Sequence, residues 1–227
     1  MKKDILSDAR ENPFDMKIKN IMFDLGGVIM TIDQPSAVKR FKEIGLEDAE
    51  RRLDPYTQSG IFGDLEEGKI TADEFIRELS KLCHRELTFD ECKYAWRGYT
   101  KEVPLRNIKV LDKLKSMGYR LILISNTNPF MMSWGMSDGF SGDGRSIADF
   151  FDSLYMSFKM KMMKPNRKMF EEIISKESIL PEETLFVDDG PANIEMGKNL
   201  GFKTFCPQNG EYWTQELLDT LEALNAK

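Results

Sequence analysis

"KIKNIMFDLGGVIMTID", residues 17–33, is the stretch on which the reading of this chain depends. Its apolar run, Ile21-Met22-Phe23, has the character of a buried strand, and it delivers Asp24 to the mouth of a glycine turn. A carboxylate in that place is exposed and can serve as a nucleophile, a metal ligand, or both. An attacking aspartate ordinarily works beside a proton carrier. Two residues on, where such a carrier would stand, the chain has Gly26.

Outward from this stretch, short apolar runs recur at 18–23, 119–124, 153–158, 184–187 and 202–205, each followed by a polar or glycine-bearing turn. Segments of helical period lie at 105–117, 167–177, 192–200 and 214–224. Strands alternating with helices predict an α/β fold, a doubly wound parallel sheet. Such sheets bind ligands beyond the carboxyl ends of their strands, near the topological switch point. Residues 34–103 break the rhythm: "SAVKRFKEIG", "TADEFIRELSKLC" and "TFDECKYAWRGY" read as helices, with no good strand between them. Thr71 and Glu74 have capping-box spacing. The expected organisation is a core of 17–33 and 104–227, an inserted α-helical cap of 34–103, and a polar N-terminal extension of 1–16. The stretch 128–146, "NPFMMSWGMSDGFSGDGRS", reads as a surface loop near the strand ends, with short helices within it as the alternative.

Composition narrows the partners. The 227 residues are 41% hydrophobic and 31% charged, ordinary for a globular protein. A net charge of −6 argues against a general binder of nucleic acid or anionic membrane. It also means that an anionic substrate needs a local positive site. Cys83, Cys92 and Cys206 show no disulfide or zinc spacing. The N-terminus lacks the apolar core of a signal peptide, and no apolar run approaches the ~18 residues of a membrane span. The expected setting is the cytoplasm and the expected partner a small molecule.

Four strand ends carry suggestive groups: Asp24 after the first, Ser125-Asn126 after the second, Lys164 before Pro165 beyond the third, and Asp188-Asp189 after the fourth. In a parallel sheet these converge on one crevice, and together they suit phosphoryl transfer. Asp24 is placed to attack phosphorus. A magnesium ion, a hard cation, would bridge Asp24 and the Asp188/Asp189 pair to the phosphate. Ser125, Asn126, Lys164 and the backbone N–H groups of Gly26 and Gly27 would hold the phosphate oxygens. Each residue has an ordinary alternative as a turn, a helix cap or a solvated lysine; the weight lies in all four at successive strand ends.

With these motifs in order, the chain resembles the haloacid dehalogenase (HAD) superfamily. "FDLGGV" looks like its first motif, "LISNTN" its second, "KP" its third and "VDDGPAN" its fourth, and the helical insertion lies where that superfamily has its C1 cap. The wording is especially similar to the branch of bacterial sugar-1-phosphatases. The resemblance spans about residues 18–207 and implies a Rossmann-like core. It implies an aspartyl-phosphate on Asp24, phosphate binding by Ser125 and Lys164, and magnesium held by Asp24, the Gly26 carbonyl and Asp189, with Asp188 close by. The activity implied is a magnesium-dependent phosphatase of small phosphorylated metabolites, a sugar 1-phosphate among them. The departure is Gly26, where most phosphatases of the superfamily have a second Asp. That departure keeps open a non-catalytic HAD-fold protein that binds a phosphorylated ligand or partner.

Asp33, nine residues after Asp24, is the nearest later carboxylate. It either caps the turn at "DQPS" or folds back over the crevice as a substitute acid/base. In the cap, His84 reads as a packing or surface residue. Tyr94, Trp96 and Tyr99 read as core that could also stack on a sugar.

Overall fold

A computed structural model of the chain describes residues 17–54 and 58–226, so the extension expected at 1–16 lies outside the described residues. The strands are β1 (Asn20–Phe23), β2 (Thr31–Ile32), β3 (Thr100–Glu102), β4 (Arg120–Ser125), β5 (Ser153–Met156), β6 (Thr184–Val187) and β7 (Lys203–Phe205). Five of them form a parallel sheet in the order β5-β4-β1-β6-β7. From β1 the chain builds outward through β4 to β5 on one side, then crosses to β6 and β7 on the other. The switch point therefore falls at β1, and the crevice beyond it opens over Asp24.

The cap holds α1 (Gln34–Glu43), α2 (Ala49–Arg52), α3 (Gly60–Glu66), α4 (Ala72–Leu82) and α5 (Phe89–Trp96). The core adds α6 (Leu105–Ser116), α7 (Pro129–Gly135), α8 (Ser157–Met160), α9 (Arg167–Glu177), α10 (Pro191–Asn199) and α11 (Thr214–Asn225). Alternate residues of the central strands feed two separate apolar clusters. Ile21, Phe23, Leu121, Leu123, Leu185 and Val187 pack with side chains of α6 and α11. Met22, Ile122, Ile124 and Phe186 pack with Met169, Phe170 and Ile173 of α9 and Ile194 of α10. Burial on both faces explains why these strands read as continuous apolar runs rather than as alternation.

Within the cap, Phe41, Phe62, Phe75 and Trp96 form an aromatic core, with Phe41–Phe62 and Phe41–Trp96 meeting edge to face at 5.4 and 5.6 Å. The Thr71–Glu74 capping box opens α4 as expected, and Thr88–Glu91 opens α5 in the same way.

Two expectations need correction. The connections that leave and re-enter the core are strands, since β2 and β3 pair antiparallel with Ile32 opposite Thr100. Both legs pass the same point between core and cap and so satisfy each other's backbone groups. Strands this short carry no readable periodicity. The stretch 128–146 is not merely a surface loop. Its first part is α7, whose Phe130, Met131, Met132 and Trp134 are buried. Phe130 lies 5.5 Å from Phe75 and 4.8 Å from Phe89 between ring centroids, and the Arg97 guanidinium sits 4.3 Å over Trp134. The helix is a wedge between core and cap. The glycines and serines that suggested a loop fall mainly in its second half. Among the described residues no helix is long and apolar enough to cross a membrane.

Candidate active site

Parallel pairing brings the predicted groups together. Asp24 follows β1, and its N–H donates to the Val187 carbonyl at 2.9 Å, which extends the ladder by one step and sets Asp24 beside Asp188. Ligand oxygens of Asp24, Asp188 and Asp189 all lie within 4.8 Å of one another. Lys164 Nζ stands 2.9 Å from Asp24 Oδ1 and 2.6 Å from Asp188 Oδ2, with its side chain only 1% exposed. The other Asp188 oxygen, Oδ1, accepts from Gly190 N at 2.8 Å and Asn193 Nδ2 at 2.9 Å. Asp188 is thus held from both sides, while Asp24 and Asp189 face the cavity.

The electrostatics follow from crowding. Burial, with Asp188 and Asp189 adding to it, outweighs Lys164 and pushes Asp24 up to about 8. Burial and then Asp188 raise Asp189 to about 6 against the pull of Lys164. Burial works against the Lys164 ammonium, but Asp188 and Asp24 outweigh it and hold its pKa above the ordinary value. One ammonium does not neutralise three carboxylates. The donor set, all hard oxygens around one point, fits a small divalent cation that would supply the missing charge.

The neighbouring residues divide into those that face the cavity and those that hold others in place. Gly26 lines the cavity. A Cβ at Gly26 would meet Ile32 Cδ1 at 3.1 Å and Met30 Cε at 4.0 Å, so apolar side chains crowd the place where a carboxylate would start. Gly27, at φ +72°, lies behind Asp189: a Cβ there would fall 1.9 Å from Asp189 Oδ2. Ser125 lines the cavity and is buried. Asn126 also lines it, but its amide clamps the lysine backbone: Nδ2 donates to the Lys164 carbonyl at 2.9 Å, and Oδ1 accepts from Lys164 N at 2.8 Å. Asn126 therefore positions the Lys164 backbone from the cavity wall.

Asp33 takes the capping alternative of its two readings. It is the N-cap of α1, its Oδ1 accepting from Ser36 N at 3.1 Å, and it is not among the residues that line the cavity. The orphan N–H groups of a helix start hold this carboxylate locally, and the geometry gives no support to its acid/base reading. His84 is an exposed turn residue after α4, with φ of 52°. Tyr94 lies on the surface, its hydroxyl donating to Glu43 at 2.6 Å. Trp96 and Tyr99 are buried and line the cavity.

The sequence reading missed several residues. Asn107 Nδ2 donates to the Val28 and Ile29 carbonyls at 3.0 and 3.1 Å, and Trp213 Nε1 donates to the Val28 carbonyl at 3.0 Å. These bonds fix the turn that follows Asp24. Asn209 exchanges two hydrogen bonds with the Ile32 backbone and ties the stalk of the cap to the end of the sheet. The most consequential omission is Glu66, the last residue of α3. It is buried and lines the cavity from the cap, together with Gln58, Trp96 and Tyr99. Burial raises its pKa to about 8, only partly offset by the Asn128 amide beside it.

That shift has a measurable consequence. Glu66 binds its proton more tightly in the folded chain than in the unfolded one. Its contribution to stability is therefore complete below its ordinary pKa of 4.5 and is lost as pH rises through about 8. Thermal melts between about pH 5 and about pH 8 should show the wild type losing more stability than Glu66→Gln, which cannot ionise. Parallel curves for the two proteins would show that the carboxyl is not held neutral by the fold.

Comparison with known proteins bears on this geometry. The family described as haloacid dehalogenase-like hydrolase matches residues 18–201. The chain is 51% identical over 200 residues to a D-ribitol-5-phosphate phosphatase of Bacteroides thetaiotaomicron, across 88% of this chain and 97% of that one. Among solved structures, a HAD-like family hydrolase from Porphyromonas gingivalis aligns with a TM-score of 0.86 at 42% identity, covering 90% of this chain and 98% of that one. A HAD family enzyme from B. thetaiotaomicron, in complex with magnesium and inorganic phosphate, aligns with a TM-score of 0.81 at 31% identity, covering 88% of this chain and 98% of that one.

Proposed function

Because the chain belongs to the haloacid dehalogenase-like hydrolases, we propose that it is a magnesium-dependent phosphatase of small phosphorylated metabolites and works through an aspartyl-phosphate on Asp24. The observation that carries this reading is Lys164 bridging Asp24 and Asp188 beneath a cavity walled by Asp24, Ser125, Lys164 and Asp189. Its volume of about 250 Å³ suits a metabolite.

In this mechanism Asp24 attacks phosphorus as a carboxylate. The bond from phosphorus to the ester oxygen breaks, and the leaving oxygen takes its proton from solvent water. Water then attacks the acyl phosphate, which releases inorganic phosphate and regenerates Asp24. Asp24, Asp188 and Asp189, with the Gly26 carbonyl, would hold magnesium, which would supply the positive charge that keeps Asp24 ionised and screens the phosphate. Lys164 offsets the carboxylates from below, and Ser125 offers a hydroxyl to a phosphate oxygen.

Gly26 contributes no proton. General acid help is worth about 10²–10⁴-fold, or roughly 3–5 kcal/mol of barrier. A largely dissociative phosphoryl transition state leaves most of the catalysis to charge and positioning. The relative's name points to a polyol phosphate whose leaving group is an ordinary alcohol, so we favour polyol or sugar phosphates over the anomeric phosphates alone. The second reading, a phospho-ligand binder without turnover, is favoured only by the apolar crowding at Gly26.

Phosphate release from a panel of polyol, sugar and carboxylic-acid phosphates decides between them. Turnover of a polyol or sugar phosphate is expected with magnesium, with loss in chelator and recovery on adding the metal back. Full activity in chelator would sink the metal assignment, and absence of turnover across the panel would leave the binder.

A further inference from the structure

The cavity is built from two kinds of wall. The core supplies charge: Asp24, Lys164 and Asp189 at the strand ends. The cap, with α7, supplies hydrogen-bonding groups set among Met30, Ile32 and Met131: Gln58, Glu66, Trp96, Tyr99 and Asn128. Several of these groups are already committed. Gln58 Nε2 donates to the Tyr99 hydroxyl at 3.0 Å, which in turn donates to the Asp54 carbonyl at 3.0 Å. Asn128 Oδ1 accepts from Phe130 N and Met131 N, each at 3.1 Å, as the cap of α7.

What remains is loosely held. Asn128 Nδ2 and Trp96 Nε1 are buried donors without a well-formed hydrogen bond among the described residues. The Glu66 carboxyl lies beside that Asn128 amide. Buried donors left unpaired are unfavourable and uncommon in folded proteins, so the free Trp96 indole N–H, on a residue lining the cavity with a carboxyl that has only the loose Asn128 contact, marks a place where a ligand brings acceptors. Their chemistry selects the ligand. A carboxylate or phosphate on the substrate's tail would meet the Glu66 carboxyl, with no basic side chain among the described residues of this wall to balance it. A plain alkyl tail would leave the donors unpaired. A hydroxyl both donates and accepts, so it satisfies an amide or indole N–H and a carboxyl together.

We infer that Glu66, with Asn128 and Trp96, forms a hydroxyl-reading subsite on the cap that makes this enzyme selective for phosphate esters of polyhydroxylated alcohols. The inference rests on the phosphatase reading above and adds which group reads the leaving alcohol. Burial keeps Glu66 uncharged near neutral pH, which lets a phosphate dianion enter beneath the cap without repulsion. Glu66 acts here through its hydrogen bonds and transfers no proton.

The test compares wild type, Glu66→Gln and the near-isosteric Glu66→Met on ribitol 5-phosphate and on 4-nitrophenyl phosphate, which has no aliphatic hydroxyls. The readout is the ratio of the two kcat/KM values. Glu66→Met should lower the ratio at least about tenfold, mostly through KM, the expected loss for one good hydrogen bond to substrate. Glu66→Gln, which keeps a donor and an acceptor, should hold the ratio within about threefold. Melting temperatures confirm folding, and Glu66→Ala replaces the Met variant if that one does not fold. An unchanged ratio in Glu66→Met overturns the inference. So does an equal loss in Glu66→Gln, which would mean that a proton is transferred. A loss shared equally by both esters also overturns it and assigns Glu66 to the fold. A wild type that hydrolyses neither ester overturns the phosphatase reading and this inference with it.

Discussion

Replacing Asp24 by asparagine is expected to reduce phosphate release to background, a loss of about 10³-fold or more, because no other group among the described residues stands at the end of β1 to take over a covalent attack. Asn keeps the size of the side chain and removes its charge. Asp24 sits with two other carboxylates within 4.8 Å and is pushed up to about 8 by burial. Removing its ionisable group therefore relieves repulsion, and the variant should melt at the same temperature as the wild type or above it. Loss of turnover with retained or improved stability separates a chemical role from a structural one. Fluoroberyllate, which mimics a phosphorylated carboxylate, should inhibit the wild type and fail to engage Asp24→Asn. Activity retained beyond what slow deamidation explains would exclude Asp24 as the nucleophile.

The second large effect belongs to Lys164. Its ammonium is bonded to Asp24 and Asp188 at 2.9 and 2.6 Å, with 1% of the side chain exposed. Lys164→Met keeps most of the apolar stem and deletes the charge, leaving buried carboxylates uncompensated. Breaking a buried pair in this way typically costs about 3–5 kcal/mol. Melting temperature should fall, and it should fall further in chelator than in magnesium, since a divalent cation can take over part of the neutralisation. Inhibition by inorganic phosphate should weaken, and kcat/KM should drop by about 10²-fold or more, the scale of losing one preorganised charge at a developing anion. A variant with unchanged melting and unchanged phosphate inhibition would reduce Lys164 to a structural lysine before Pro165.

These two residues were legible before any coordinates because the signals that place them are short in sequence. An apolar run that ends at a polar group needs only local information. The strand-ending positions of Asp24, Ser125 and Asp188 follow once the runs are read as strands of one parallel sheet. The helical cap was readable for the same reason, from the capping box at Thr71 and the helical spacing of Phe75 and Leu79. Where local signals are mixed, the sequence leaves loop and helix open. The stretch at 128–146 combines the buried Phe130 and Trp134 with loop-forming glycines, and only its packing against Phe75 and Phe89 shows which part governs.

Asp33 and Glu66 mark the boundary between the two kinds of information. By itself the sequence determined the alternation of strand and helix, the inserted cap, the carboxylate cluster with its lysine, and the absence of an acid at Gly26. All of these depend on residues adjacent in the chain or on the rule that parallel strands end together. It could not decide between two uses of Asp33, because a helix N-cap and a residue folded over a crevice have the same local sequence; the bond to Ser36 N settles its place. Nor could it single out Glu66, one acidic residue in "GDLEEGK", where Glu67 beside it forms an ion pair with Lys69. What sets Glu66 apart is an environment assembled from residues 58, 96, 99 and 128, which closing the cap on the core brings around it. Burial of a carboxyl among distant partners is a property of the closed tertiary structure, and no period or motif in the chain records it.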